Sequence, residues 1–99
     1  MRFAQLKFLK TNMPKGVQAM VNFGNYDLSI VKNSVSYGNK QGLYEIAVFK
    51  DDEQTELPGI TEPGDTVKGY LNEEAVDGIL LKMEFVTKEQ GKQVETSND

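Results

Sequence analysis

The clearest local signal in the sequence is a pair of alternating polar and apolar runs joined by the dipeptide Gly24-Asn25. Residues 17–23 place apolar side chains at every second position, and residues 26–30 resume this alternation after the dipeptide. Glycine and asparagine tolerate the positive φ angles of a tight two-residue turn, so the pattern is typical of a β-hairpin. We therefore predict two antiparallel strands within residues 17–31.

Three other segments have the alternation or the residue content of strands. They are residues 2–9, residues 43–49, which carry apolar side chains on both faces, and the shorter residues 66–71, for which an extended lead-in to the next element is the alternative to a strand. Polar stretches with glycine or proline separate the strands and predict turns and surface loops at residues 11–16, 35–42 and 51–64. Together these segments predict an antiparallel sheet of three to five strands.

One helix is predicted near the end of the chain, over residues 73–88. Asn72 is suited to cap its first turn, and apolar side chains recur at helical spacing at Val76, Ile79, Leu80, Met83 and Val86. Gly78 costs the helix about 1 kcal/mol relative to alanine, so we expect it to mark a close approach to the sheet.

A single amphipathic helix and an open sheet must cover each other's apolar surfaces. The sequence therefore predicts an α+β fold in which the helix packs on one face of the antiparallel sheet. We expect one domain over residues 1–91 and a disordered polar tail over residues 92–99, because 99 residues leave no room for a second core.

The 99 residues include neither cysteine nor histidine. Thiol nucleophiles, zinc–thiolate sites, iron–sulfur clusters and histidine-based catalytic pairs are therefore excluded. Acidic runs occur at residues 51–53 and 73–77, but one lies in a predicted loop and the other at a helix start, where carboxylates solvate or cap the chain. We expect a protein that is not an enzyme and has no cofactor and no metal.

Cation binding and phosphate binding remain open as alternatives, although the sequence disfavours both. The run Asp51-Asp52-Glu53 lacks the spacing and the glycine of a calcium loop. The glycine-bounded residues 38–42 lead into a strand, whereas phosphate loops lead into a helix. A small-ligand or enzymatic site near the Tyr37–Gly42 loop would need a concave pocket that holds a carboxyl with a shifted pKa.

The charge is polarised along the chain. Residues 1–50 hold seven basic and two acidic residues, a net charge of +5, whereas residues 51–99 hold four basic and thirteen acidic residues, a net charge of −9. The two halves can attract each other within the fold, the acidic side chains can solvate loops, or the protein can present a bipolar surface to a charged partner.

The leading hypothesis from these features is a protein-binding role, with nucleic-acid binding as the alternative. The residues proposed as its contact surface are Tyr37, Lys40, Asp51, Asp52 and Glu53, which have no evident structural task. The alternative would use a basic surface with stacking groups, drawn from Lys7, Lys10, Lys15, Lys32, Lys40, Phe8, Tyr26 and Tyr37. The overall pI of about 4.8 disfavours nucleic-acid binding.

A homodimer is also possible, because an uncovered edge strand could pair with that of a second copy.

The start of the chain lacks the continuous apolar stretch of a secretory signal, and no apolar run is long enough to span a bilayer. We therefore expect a cytoplasmic protein without a membrane partner.

The motifs Tyr26–Val31, Ser36–Gly38, Gly42–Val48 and Asp65–Leu71 resemble, in order and spacing, those of a group of short uncharacterised bacteriophage proteins. The resemblance covers about residues 22–82 and departs from the group at residues 1–16 and 51–64. It implies a phage accessory protein made in the cytoplasm of the host bacterium and carries over no catalytic or binding residues. The protein partner expected from the absence of histidine and cysteine would then be a host or phage protein.

Overall fold

A computed structural model describes residues 1–94 of the protein. Its seven strands are β1 (Leu9–Asn12), β2 (Lys15–Phe23), β3 (Tyr26–Asn33), β4 (Tyr44–Lys50), β5 (Glu53–Gln54), β6 (Val67–Leu71) and β7 (Lys92–Val94). They form one antiparallel sheet in the order β1-β2-β3-β4-β5, with β6 also paired to β4 and β7 to β2. One α-helix, α1 (Glu73–Thr87), packs on this sheet.

The α+β class is therefore confirmed, whereas the number of strands exceeds the predicted three to five. The predicted hairpin is confirmed: β2 and β3 pair around Gly24 and Asn25, with Phe23 opposite Tyr26. The additional strands β5 and β7 contain two and three residues. Segments this short carry no measurable alternation, so a periodicity argument does not detect them.

The core lies between α1 and the face of the sheet that carries the apolar partners of the hairpin. Val21 lies opposite Leu28, and Leu28 opposite Val48, and all three side chains are fully buried. The helix contributes the buried side chains Val76, Ile79, Leu80 and Met83. Asn72 caps it as predicted, since its Oδ1 accepts a hydrogen bond from the Ala75 amide at 2.8 Å.

Gly78 differs from its prediction. It lies on the exposed side of α1, and a Cβ placed on it would have no heavy atom within 4 Å outside its own helix backbone. It therefore does not mark a close approach of the helix to the sheet.

The N-terminal segment also differs from the predicted strand over residues 2–9. Phe3–Gln5 forms a short 3-10 helix, and the strand begins only at Leu9. The Arg2 guanidinium pairs with Asp77 on α1, and the Phe3 amide donates to the same carboxylate at 2.8 Å. These contacts hold the segment against the helix, which overrides its alternating pattern.

Two other segments depart from the predicted loops and tail. The segment 57–61, expected to be a surface loop, buries Leu57, Ile60 and Thr61. Lys92–Val94, expected to be disordered, pairs with Met20–Asn22 of β2, because β1 leaves that part of the β2 edge unpaired. The remainder of the predicted tail, 95–99, lies outside the described residues.

None of the helices in residues 1–94 has the length and apolar content needed to cross a bilayer.

Candidate functional site

The loop between β3 and β4 is held by its own hydrogen bonds. The Ser36 hydroxyl accepts from the Asn33 amide at 2.9 Å and donates to the Asn33 carbonyl at 3.1 Å. At the far end, the amides of Gln41 and Leu43 both donate to the Gly38 carbonyl at 3.0 Å. Because these bonds fix both ends of the loop, Tyr37 between them projects from a defined backbone.

Tyr37 stacks on Tyr70 of β6. Their ring centroids are 6.4 Å apart and their planes differ by 15°, a separation within the range of favourable aromatic pairs. The two side chains nevertheless remain 58% and 62% exposed. The pair therefore presents a broad amphipathic surface, which we call the tyrosine surface, together with the 75% exposed Val35 beside it.

The backbone at Tyr70 is unusual for a strand. Its φ angle is 58°, in the left-handed region that non-glycine residues seldom adopt. It lies next to an irregularity where the register between β6 and β4 shifts, between Tyr44 and Ile46. Such bulges redirect a side chain away from the regular alternation, and here the redirected ring lies against Tyr37. Strained positions of this kind cluster at functional sites.

Two glycines permit this close approach of the loop and β6. A Cβ on Gly69 would lie 2.5 Å from the Tyr37 Cβ, and a Cβ on Gly38 would lie 3.0 Å from the Tyr70 Cα. Gly38 also has a φ of 91°, which favours glycine. The Tyr70 amide donates to the Tyr37 carbonyl at 3.3 Å across the same contact. Larger residues at either glycine would separate the two rings.

The tyrosine surface is bordered by two open clefts of different charge. One, of about 320 Å³, is lined by the loop residues 34–41 with Tyr70 and includes Lys40. The other, of about 340 Å³, is lined by Tyr37 and Tyr70 and by charged side chains from the 62–68 segment, namely Glu62, Asp65 and Lys68. A partner would meet an aromatic centre with a cation on one side and mixed, mainly acidic charge on the other.

Glu45 lies beneath the loop and is half-buried. Burial raises the pKa of its carboxyl above the ordinary value, the Tyr37 amide that donates to it at 3.4 Å opposes this shift, and the charge of Asp65 adds to it. Glu45 is not among the residues that line either cleft. Its shifted carboxyl is thus not placed for acid–base chemistry on a ligand in those clefts.

The predicted contact residues divide into two groups. Tyr37 and Lys40 line the same cleft, but the acidic residues follow the other end of β4. Seven residues at about 3.3 Å each separate the two groups by roughly 20 Å. Asp51 and Asp52 form the two-residue turn between β4 and β5, with φ angles of 53° and 66°. Both angles are positive, as a type I′ turn requires, so these residues have a structural task that was not predicted.

The residue that sequence reasoning missed is Tyr70. A local signal was present, since Gly69 interrupts the short run Thr66–Leu71. A glycine within a strand pattern indicates a bulge or a close backbone approach. That signal does not identify Tyr37, 33 positions earlier, as the approaching residue, because the contact depends on the pairing of β6 with β4.

Within residues 1–94, no group of three or more acidic side chains lies close enough together to hold a metal ion. The tyrosine surface offers aromatic contact, hydroxyl groups and nearby charges, which suit noncovalent recognition. Comparison with protein-family models, with curated proteins and with solved structures finds no match to this chain.

Proposed function

We propose that this protein is a non-enzymatic accessory protein that binds another protein through the tyrosine surface. The observation that carries the proposal is the stacked and exposed pair of Tyr37 and Tyr70, held by a left-handed backbone at Tyr70. The fold bears the cost of this conformation, yet more than half of each side chain remains exposed to water.

The chemistry of the surface favours a protein partner. Tyrosine is enriched among the residues that dominate interface energies, because its ring buries a large area and its hydroxyl satisfies a polar partner. The stacked arrangement also leaves little side-chain freedom to be lost on binding, which lowers the entropic cost of association. Lys40 on one side and Glu62 and Asp65 on the other would supply the polar rim.

The resemblance to short bacteriophage proteins supplies the biological setting of the proposal. The partner would then be a host or phage protein in the bacterial cytoplasm. The segments that carry the resemblance, Ser36–Gly38 and Asp65–Leu71, include both tyrosines.

The test is affinity capture from a bacterial lysate with the immobilised chain, followed by calorimetry with the purified partner. Tyr70→Asn removes the ring and retains a residue that tolerates a positive φ. We expect it to weaken binding by roughly tenfold or more, as the loss of a central aromatic does. Asp52→Asn, at the distant turn, is the matched control and should bind normally. The proposal fails if no stoichiometric partner is captured, or if the partner binds Tyr70→Asn as tightly as wild type.

A second candidate function is nucleic-acid binding, and it is favoured by the sheet register. Lys10 lies opposite Val17, and Val17 lies opposite Lys32. Lys15, two residues from Val17 on β2, points to the same side of the sheet. None of these three lysines takes part in an ion pair within the described residues.

Phosphate contacts release counterions, so such binding must weaken steeply with salt. The test is fluorescence anisotropy with single- and double-stranded oligonucleotides between low and moderate salt. Replacing all three lysines by glutamine should abolish binding and its salt dependence. If wild type binds no oligonucleotide even at low salt, this second function is refuted.

A further inference from the structure

A stripe of exposed residues follows the outer side of α1. Its members are separated alternately by four and three positions, which keeps them on one line of a helix. They are Glu74, Gly78, Leu81, Phe85 and Lys88, the last being the C-cap residue. The stripe thus has an acid at one end, a base at the other, and two large apolar side chains between them.

The apolar part of the stripe is not used by the fold. Phe85 is 85% exposed, Leu81 is 45% exposed, and the adjacent Val86 is 47% exposed. The core is formed by the opposite side of the helix, where Val76, Leu80 and Met83 are fully buried. A phenylalanine so exposed gains almost nothing from folding, because the hydrophobic contribution scales with the area removed from water.

Gly78 adds a notch to this stripe. Outside its own helix backbone, no heavy atom of the described structure lies within 4 Å of a Cβ placed there, so no contact with the rest of the fold requires a glycine at this position. The notch lies three residues before Leu81, and Phe85 lies four residues after it. At 1.5 Å per residue, notch and ring are nearly equidistant from Leu81.

The charges have the same symmetry. Glu74 and Lys88 each lie seven residues from Leu81, or about 10 Å along the axis. Neither takes part in an ion pair within the described part of the chain. If a second identical helix packed antiparallel about Leu81, Glu74 would lie opposite Lys88 of the partner subunit, and this pairing would occur twice. A parallel arrangement would instead bring like charges together.

We propose that the occupant of this stripe is a second copy of the chain, packed antiparallel across a two-fold axis near Leu81. Phe85 then fills the notch over Gly78 of the partner subunit, and the two charge pairs fix the direction. This self-complementarity is what a two-fold interface requires. The proposal is independent of the tyrosine surface and differs from pairing through a sheet edge.

The experiment is sedimentation equilibrium of the full chain over a range of concentrations. Wild type should show a reversible monomer–dimer equilibrium, and Phe85→Ser should raise the dimer dissociation constant by roughly tenfold or more. Glu74→Lys and Lys88→Glu should each weaken the dimer, since each single change places like charges opposite each other. Glu73→Lys, which makes the same charge change one residue off the stripe, is the matched control and should dimerise as wild type does.

The decisive arm mixes the two charge variants. Glu74→Lys and Lys88→Glu each oppose self-pairing, but together they restore both attractive pairs, so the mixture should form a heterodimer. Circular dichroism of each variant establishes that it is folded. The proposal is overturned if wild type stays monomeric up to about 1 mM, if the dimer is insensitive to Phe85→Ser, or if the mixture forms no heterodimer.

Discussion

Replacing Gly78 by alanine should stabilise the isolated fold. The position lies inside α1, five residues from its first residue and nine from its last. Glycine in a helix interior is about 1 kcal/mol less favourable than alanine, chiefly because glycine loses more backbone freedom than alanine when the chain folds. A new Cβ would have no neighbour within 4 Å outside its own helix backbone, so no clash reduces this gain.

The expected magnitude is therefore a rise of about 1 kcal/mol in the free energy of unfolding. For a domain of this size, that corresponds to an increase of about 4–8 °C in Tm. Urea denaturation followed by circular dichroism measures it, at a protein concentration low enough for the monomer to dominate. The denaturant slope should not change, because the variant exposes the same surface on unfolding.

Gly59→Ala is the matched control for this experiment. An added Cβ at Gly59 also has nothing within 4 Å, but its φ angle is +87°. The same substitution there should destabilise the protein by roughly 1–2 kcal/mol, because alanine is strained in that conformation. If Gly78→Ala lowered stability as Gly59→Ala does, the inference that Gly78 is free of intramolecular contacts would be refuted.

Three other predictions concern Asp77, Glu45 and Gly69. The hydrogen bond from Arg2 lowers the pKa of Asp77 to about 2, so its stabilising contribution is present above the ordinary pKa of 3.8 and is lost as pH falls toward 2. Urea denaturation should thus show a gap between wild type and Asp77→Asn that shrinks from pH 5 to pH 2, and a constant gap would contradict this origin. Burial raises the pKa of Glu45 above 4.5, so the folded state binds the proton more tightly and wild-type stability falls as pH rises through that range. Glu45→Gln should remove this loss and be the more stable protein at pH 7, with the two converging below pH 4.5; an equal difference at every pH would show that burial of the charge is not the cause. Gly69→Ala should cost roughly 1–3 kcal/mol in stability, as overpacking does, because its Cβ would lie 2.5 Å from the Tyr37 Cβ; an unchanged melting temperature would contradict the close approach.

The parts of the fold that were predicted correctly depend on local signals. Gly24-Asn25 supports a tight turn whatever surrounds it, and Asn72 caps a helix through an atom three residues away. Both signals act between residues that are at most three positions apart in the chain. The sheet pairings of β5 and β7 are different, because two or three residues pair only where β4 and β2 already present an edge.

The candidate site was predicted only in part for the same reason. Tyr37 and Lys40 share one loop, so reasoning from the sequence could group them. Tyr70 joins them through a bulge between β6 and β4, which depends on contacts between segments distant in the chain. The acidic residues 51–53 lie at the other end of β4, and a run of exposed charge in the sequence does not reveal that Asp51 and Asp52 form a hairpin turn.

The exposed apolar side chains give the strongest joint argument for two interaction surfaces. Eight large ones are exposed within residues 1–94, and six of them form two groups, one around the tyrosine surface and one on α1. Single exposed apolar residues need no explanation, but contiguous ones mark interaction sites. The core already contains Phe23, Leu80 and Met83 in fully buried positions, and no buried side-chain polar atom in the described residues lacks a hydrogen bond. Folding is thus satisfied without either group, which supports the proposals that both groups contact other chains.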